Sequence, residues 1–202
     1  MKLWYSPASP FVRKVLVVAN ETGQMGDLQV TDASTSAVNR NMELVRDNPS
    51  GKIPALVLDD GTVLFDSRVI CAYLNARHGG AKLAPQEGQQ RFTDMMLEAL
   101  GDAIMDAAVL ARYEEALRPE SYRWPEWSTG QMAKVSSSLD QLEGPLGGML
   151  ASEPTMGLIA IACALGYLDY RFDHLQWRAS HPKLAAWFEE FSKRPSMQAS
   201  AP

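Results

Sequence analysis

Two serines and two prolines lie near the start of the chain, where a short apolar run changes into a helix-like stretch. The segment is YSPASPFVRKV, with hydroxyls at Ser6 and Ser9. A helix N-terminus carries partial positive charge and free N–H groups, and a hydroxyl there can lower the pKa of a thiol by donating to its thiolate. The same residues fit a plain N-cap, in which Ser9 accepts a backbone N–H and Pro10 begins the helix. Both interpretations hold together if the Ser9 hydroxyl faces a ligand.

A second candidate is the proline that begins the strand-like segment GKIPALVL. Proline is tolerated at the start of an edge strand, which is one interpretation of Pro54. The other is a cis bond between Ile53 and Pro54, which would leave the backbone N–H and C=O of Ile53 open to pair with an extended peptide.

A third candidate is the pair Asp66 and Ser67 in LFDSRVI, directly before a helix-like run. One interpretation is an N-cap at Ser67 with a carboxylate that suits the helix dipole. The other is a ligand cradle, in which the Ser67 hydroxyl holds a carboxylate and Asp66 meets an ammonium. A ligand with both groups on one α-carbon would satisfy both residues.

Composition excludes several classes of protein. The chain has 202 residues and a net charge of −5, which argues against a general nucleic-acid or anionic-membrane surface. The N-terminus does not resemble a signal peptide, and no apolar run reaches the roughly 18 residues of a membrane span. Cys71 and Cys163 lie far apart in apolar surroundings, and the three histidines have no metal-ligand spacing. We therefore expect a cytoplasmic protein without a metal.

The elements that position these candidates divide the chain in two. Strand-like and helix-like runs follow the order strand, helix, strand, helix, strand, strand, helix over about the first 80 residues, and DDG is the turn of a hairpin. Beyond them we find only helical patterns, including a long helix with a possible bend at Gly101. We predict an α/β domain over residues 1–78, a linker over 79–86 and an all-α domain over 87–202.

The ordered segments YSPASPFVRKV, NPSGKIPALVL and LFDSRVICAYL, followed by RWPEW and TMGLIAIACALGYLDYRF, resemble cytosolic glutathione S-transferases. The likeness is greatest to small bacterial members of the Ser-type or theta-like kind. It implies a thioredoxin-like N-terminal domain with a cis proline in the IP pair, followed by an all-helical C-terminal domain. It also implies a cytoplasmic homodimer that serves in detoxification.

The resemblance also assigns roles to residues. Ser9 would be the catalytic residue that hydrogen-bonds the glutathione sulfur, with Ser6 as the alternative hydroxyl. Glutathione-binding roles are implied for Lys52, Ile53, Pro54, Asp66 and Ser67. Arg13 and Arg68 are expected to be solvated or salt-bridged helix residues.

The free energy that one hydrogen bond contributes is large enough for the implied mechanism. The pKa of a free thiol is about 8.5, and lowering it by two units requires about 2.7 kcal/mol. One charge-assisted hydrogen bond contributes roughly 1.5–3 kcal/mol, so Ser9 with the helix dipole suffices. Ser9 would be a donor and not a nucleophile, and glutathione would be a co-substrate with no further cofactor or metal.

The acceptor in this family is a hydrophobic electrophile bound between the domains. Met105, Tyr113, Trp124 and Trp127 could line that pocket or could simply be core residues. The sequence departs from the family in two places: the first loop has no cysteine, and Leu158 stands where many relatives have the Asp of a capping box that begins at Thr155. The second departure predicts a half-formed cap on the central helix, at a cost of about 1 kcal/mol.

Two other functions remain open. One is a non-catalytic interaction module with the fold of a glutathione transferase. The other is a glutathione-dependent peroxidase or thiol exchanger, which the lack of a loop cysteine disfavours.

Overall fold

A computed structural model describes residues 1–80 and 82–202. It divides into two compact units, Met1–Gln86 together with Pro195–Pro202, and Glu87–Arg194. The expected division differs at the end of the chain, because the last eight residues belong to the first unit and not to the helical one. Ala81, inside the expected linker, lies outside the described residues. None of the helices over the described part is long and apolar enough to cross a membrane.

The first unit is a small sheet with helices, as the sequence predicts. Its elements in chain order are β1 (Lys2–Tyr5), α1 (Pro10–Glu21), β2 (Gln29–Asp32), α2 (Met42–Asp47), β3 (Ala55–Val57), β4 (Val63–Leu64) and α3 (Ser67–Arg77). This is the thioredoxin-like arrangement that the family resemblance implies.

The sheet has the strand order β2-β1-β3-β4. β1 pairs with β2 in parallel, and β3 pairs antiparallel with both β1 and β4. Trp4 lies opposite Ala55, and Leu56 lies opposite Leu64. Consequently the end of β1, the start of β3 and the end of β4 all lie at the same end of the sheet.

α1 forms because its apolar residues recur on one face and its first turn is capped. Val12, Val15 and Ala19 are fully buried. The Ser9 side chain accepts the Val12 N–H, and Pro10 takes the first position, where its missing N–H is not needed. Gly23 follows the helix at φ 68°, a conformation that glycine adopts without strain.

The second unit is all-helical. It contains α4 (Gly88–Ala116), α5 (Pro125–Glu143), α6 (Met156–Arg171), α7 (Trp177–Ser180) and α8 (Pro182–Phe191). Every residue of α6 from Met156 to Leu168 is buried, which confirms the central helix predicted from its apolar composition.

α4 is one continuous helix through Gly101, where the sequence suggested a possible bend. Close packing requires a glycine at position 101. A Cβ there would lie 2.6 Å from the backbone carbon of Ala160 and 2.7 Å from the Ile161 nitrogen. Gly157 makes the same kind of close approach in the other direction, 2.6 Å from the Asp94 carbonyl oxygen. α4 and α6 therefore run side by side with their backbones close together.

The cap of α6 uses two acceptors, one from Thr155 as the sequence predicts and one from another helix that the sequence did not predict. The Thr155 hydroxyl accepts the Leu158 N–H at 3.2 Å, and Asp94 Oδ1 of α4 accepts the Gly157 N–H at 3.0 Å. Burial raises the pKa of Asp94, while hydrogen bonds from Thr155 and Gly157 oppose that rise. A carboxylate of the neighbouring helix thus binds one free N–H of the first turn of α6, in addition to the N–H that Thr155 binds.

α8 also receives its cap from another helix. Its N-cap residue has no side-chain bond to the helix, but the Glu143 carboxylate accepts the N–H groups of Lys183 at 3.1 Å and Leu184 at 2.8 Å. Burial alone would raise the pKa of Glu143, yet these two N–H groups, together with the charges of Lys183 and His181, hold that pKa below its usual value.

The last helix, α9 (Pro195–Ala199), packs in the first unit. Arg13 Nη2 of α1 donates to the Met197 carbonyl at 3.1 Å, and the Ser196 hydroxyl donates to Glu21. Both ends of α1 are thus tied to the C-terminal segment, and this explains why residues 195–202 leave the helical unit.

Candidate functional site

Three connections of the first unit leave the same end of the sheet. The loop after β1 carries Ser9, the residue Ile53 precedes β3, and Asp66 with Ser67 follows β4. Neighbouring strands lie about 4.8 Å apart, so β1 and β4 are separated by about 10 Å across β3. The fold thus gathers the three segments that the sequence analysis selected separately.

Ser9 occupies the N-cap of α1, and its hydroxyl proton has no acceptor among residues 1–80 and 82–202. Its Oγ accepts the Val12 N–H at 3.3 Å, and its backbone N–H donates to the Ser6 carbonyl at 3.1 Å. A hydroxyl has one proton and two lone pairs, so the cap bond leaves the proton available for a ligand. Capping and ligand binding are therefore compatible at this residue.

Ser6 faces a different environment. It lines a small recess formed by residues 5–7, by Val12, Arg13 and Leu16 of α1, and by residues 199–201. Because Ser6 precedes the helix and Ser9 lies in its first turn, Ser9 is the better placed of the two hydroxyls to use the helix dipole.

The bond between Ile53 and Pro54 is cis, as the resemblance implies. In the part of the chain that the structure describes, the backbone N–H and C=O of Ile53 have no hydrogen-bond partner. Buried Asn48 fixes the preceding loop by donating from Nδ2 to the Lys52 carbonyl at 2.8 Å, while the Lys52 side chain is exposed. Asn48 is an orienting residue that the sequence analysis did not identify.

The pair before α3 is arranged differently from the predicted cap. Asp66 is the N-cap, its Oδ1 accepts the Arg68 N–H at 3.0 Å, and Ser67 is the first residue of the helix. The expectation of a cap at Ser67 is therefore wrong, because the carboxylate one position earlier has the extended backbone that a cap requires. Asp66 is exposed and Ser67 is buried.

The four residues considered for an acceptor pocket, Met105, Tyr113, Trp124 and Trp127, differ in exposure. Met105 is fully buried in the second unit, which favours its interpretation as a core residue. Tyr113 and Trp124 are exposed, and the Trp124 ring stacks on Trp127 with centroids 6.4 Å apart. Their role in acceptor binding stays a prediction.

Metal and thiol chemistry receive no support from residues 1–80 and 82–202. No group of three His, Cys, Asp or Glu side chains there could hold a metal ion. Cys71 and Cys163 are buried residues of α3 and α6.

Arg13 was expected to be solvated or salt-bridged, but it is half-buried and its guanidinium binds a backbone carbonyl. Its Nη2 donates to the Met197 carbonyl, and its Nε is buried without a hydrogen-bond partner among the described residues. The spacing could have predicted that Arg13 lies near Ser9, since Arg13 follows Ser9 by four residues and so lies on the same face of α1. Sequence alone could not show the C-terminal segment that covers it.

Comparison with known proteins agrees with these features. Residues 8–77 match the family model of the glutathione S-transferase N-terminal domain, and residues 125–190 match that of the C-terminal domain. The structure resembles that of a glutathione transferase family member from Pseudomonas fluorescens Pf-5 with bound glutathione, at 49% identity and a TM-score of 0.98, over 100% of this chain and 98% of the other.

Two further relatives extend the comparison. The uncharacterized GST-like protein YibF of Escherichia coli K12 is 32% identical over 204 residues, covering 100% of this chain and 98% of its own. A second structure from the Pseudomonas fluorescens protein holds S-(propanoic acid)-glutathione, with 48% identity, a TM-score of 0.92, and coverage of 100% of this chain and 99% of that one.

Proposed function

The chain belongs to the glutathione S-transferase family, and we propose that it is an active glutathione transferase. In this proposal the protein binds glutathione on its first unit and stabilises the thiolate for attack on an electrophilic carbon. The Ser-type or theta-like subtype is part of the proposal.

The observation that carries the proposal is the meeting of three connections at one end of the sheet. The strands that deliver Ser9 and Asp66 are about 10 Å apart, and three extended residues span at most about 10–11 Å. A tripeptide can therefore lie across the strand ends. The open main chain of Ile53, in the middle, pairs with its central residue, Asp66 and Ser67 hold one end, and Lys52 reaches a terminal carboxylate.

The chemistry assigned to Ser9 is donation to the thiolate. Its proton is not used by the cap bond to Val12, and the first turn of α1 adds the positive end of the helix dipole. Together these effects favour the ionised thiol by an amount sufficient to lower its pKa by about two units. No step requires a bound metal or a covalent bond to the protein.

We propose an electrophile with an apolar body as the acceptor, with Tyr113 and Trp124 as the candidate contacts on the second unit. The relative that binds S-(propanoic acid)-glutathione supports a site with room for a substituent on the sulfur. We also propose a cytoplasmic location, which agrees with two buried free thiols, and glutathione as a co-substrate with no resident cofactor.

Calorimetric titration with glutathione tests the binding half of the proposal. We expect saturable binding, and we expect Asp66→Asn to weaken it by about tenfold, since a hydrogen bond to a charged group contributes about 1.4 kcal/mol more than one to a neutral group. The amide still offers an oxygen to the Arg68 N–H, so the helix cap survives.

Asp60→Asn is the matched control for this titration. Asp60 is an exposed carboxylate that accepts the Thr62 N–H at 2.8 Å in the hairpin turn, so the same charge is removed away from the cradle. No heat at millimolar glutathione would favour the interaction module instead. Reduction of disulfides or peroxides without conjugation would favour the exchanger.

We propose a homodimer as the assembly. Phe92, Met95 and Met96 are 62%, 53% and 40% exposed, and their spacing places them on one face of α4. An exposed apolar face of this kind is typical of a contact surface between chains.

Light scattering coupled to gel filtration checks the assembly. We expect the mass of two chains for the native protein and of one chain for Phe92→Glu, because a charge in an apolar interface is costly. Tyr122→Glu changes another well-exposed aromatic residue elsewhere in the unit and should leave the mass unchanged. A single-chain mass for the native protein would contradict the dimer.

A further inference from the structure

One peptide group lies at the centre of the proposed glutathione site. It joins Lys52 to Ile53 and is trans. Its N–H belongs to Ile53 and has no partner among the described residues, which leaves it open to a ligand. Its carbonyl belongs to Lys52 and accepts a hydrogen bond from Asn48 Nδ2 at 2.8 Å. Because a peptide group is planar, the bond that fixes the direction of the carbonyl also fixes the direction of the N–H.

The Asn48 side chain is itself held in one orientation. Asn48 is buried at the end of α2, where its backbone N–H donates to the Leu44 carbonyl at 2.7 Å. Its Oδ1 accepts the Ser50 N–H at 3.0 Å and the Ser50 hydroxyl at 2.8 Å. A backbone N–H can only donate, so the oxygen of the amide must face Ser50 and the nitrogen must face the Lys52 carbonyl.

The other side of the peptide group is fixed by packing. The half-buried Ile53 side chain packs against a buried cluster made of Trp4, Ala33, Leu44 and Ala55. Leu44 of this cluster lies in α2, and Asn48 ends the same helix. One short helix therefore anchors Ile53 twice, through its side chain and through the peptide that precedes it.

We propose that Asn48 is a positioning residue for glutathione binding and acts through the peptide between Lys52 and Ile53. This inference rests on the proposed function and deepens it by naming a residue to which the resemblance gives no role. Asn48 sets the direction of the Ile53 N–H before the ligand arrives, so binding does not have to order this group. The bond to the carbonyl also polarises the peptide, which makes its N–H a stronger donor. Buried Asn48 need not touch glutathione itself.

The kinetic signature of this role is the opposite of that expected for Ser9. The Ile53 N–H binds glutathione equally in the ground state and the transition state, so weakening it raises the KM for glutathione and leaves kcat unchanged. Ser9 acts on the thiolate, so its loss lowers turnover and keeps binding. A variant that only loses part of its folded population shows a lower apparent kcat with an unchanged KM.

Asn48→Asp is the substitution that tests this role. It keeps the shape of the side chain and the oxygen that Ser50 binds, but it replaces the donor to the Lys52 carbonyl with an oxygen. We expect the KM for glutathione and the calorimetric Kd to rise by about three- to tenfold, the range of one hydrogen bond between neutral groups. Asn48→Ala, which also removes the donor, should give a similar rise.

The matched control lies at the other end of the same helix. Asn41 is the N-cap of α2, and its Oδ1 accepts the N–H groups of Glu43 at 3.0 Å and Leu44 at 3.1 Å. Asn41→Ala weakens this helix but leaves the Lys52 carbonyl with its donor. Both Asn41→Ala and Asn48→Asp should unfold at lower denaturant concentration, and only Asn48→Asp should raise KM. An equal rise in KM would show that Asn48 merely stabilises α2, and the inference would fail.

A measurement on the native protein decides the matter even if Asn48→Asp does not fold. In NMR spectra of protein labelled with ¹⁵N at asparagine, a side-chain N–H signal of Asn48 should shift when glutathione is added. The reason is that a peptide that donates at its N–H accepts more strongly at its carbonyl. Buried Asn75, whose Oδ1 accepts the Leu83 N–H at 2.8 Å, is the internal control and should not shift.

The outcomes also separate this inference from the proposed function. Glutathione binding that neither substitution of Asn48 weakens, or that leaves the Asn48 signal in place, would overturn the positioning role while the transferase stands. Absence of glutathione binding to the native protein would remove the transferase itself, and with it the role of Asn48.

Discussion

Ser9→Ala is expected to lower turnover by about 10- to 150-fold at about pH 6.5, the equivalent of the roughly 1.5–3 kcal/mol of one hydrogen bond to a charged group. The variant should bind glutathione nearly as well, since the cradle at Ile53, Asp66 and Ser67 is intact. The deficit should shrink as the pH approaches about 8.5, because the unassisted thiol then ionises by itself. A pH profile of the conjugation rate measures both effects.

Ser6→Ala is the matched control, because it removes the other hydroxyl of the same loop. We expect it to leave the profile unchanged. If Ser6→Ala produces the loss and Ser9→Ala does not, the thiol-facing residue is Ser6. Equal rates in both variants and the native protein would remove hydroxyl donation from the mechanism.

Ser9→Ala should also lower the free energy of unfolding, by about 0.5–2 kcal/mol, because the cap bond to the Val12 N–H is lost. The two consequences are separable, since the cap affects stability at every pH and thiolate donation affects only the reaction. Denaturant titration beside the rate measurement distinguishes them.

Gly101→Ala is expected to lower the free energy of unfolding by about 2–3 kcal/mol, as overpacking of a dense core does. The new Cβ would lie 2.6 Å from the Ala160 backbone carbon, 2.7 Å from the Ile161 nitrogen and 2.9 Å from the Ala160 Cβ. Two of these atoms are backbone, so rotation of a side chain cannot relieve the contact and the two helices must move apart. The loss exceeds the gain of about 1 kcal/mol that alanine brings to a helix interior.

Gly130→Ala provides the matched control for this change. Gly130 also lies inside a helix, α5, but nothing lies within 4 Å of a Cβ built there. We expect this variant to gain about 0.5–1 kcal/mol from helix propensity alone. Chemical denaturation of both variants should therefore give shifts of opposite sign, and a gain in both would show that the α4–α6 contact tolerates a side chain.

The local features of the site could be predicted from the sequence because they depend on neighbouring residues. The cap at Ser9 with Pro10, the hairpin around DDG and the apolar length of α6 all follow from spacing and residue type. The resemblance added the cis bond before Pro54, which residue patterns alone gave no reason to prefer. Asp66 and Ser67 were found as a pair, although the cap was assigned to the wrong member.

The caps of two helices could not be predicted from the sequence, because the carboxylates that accept their N–H groups come from distant parts of the chain. Asp94 caps α6 across 63 positions, and Glu143 caps α8 across 41. A helix N-terminus needs an oxygen near its free N–H groups, and any carboxylate that packing brings there serves. The residues around Leu158 therefore predicted that a hydrogen-bond acceptor is missing, whereas the tertiary structure brings the Asp94 carboxylate to this helix end.

The sequence by itself determined the elements and the three segments that could bind a tripeptide, because capping, turns and periodicity act over a few residues. Only the tertiary structure decided that these segments share one end of the sheet, since strand order is fixed by long-range pairing. It also decided the surroundings of Arg13, because the C-terminal segment that binds its guanidinium is 184 positions away. Long-range packing determines which groups a side chain contacts. A local sequence pattern shows only which secondary-structure element carries that side chain.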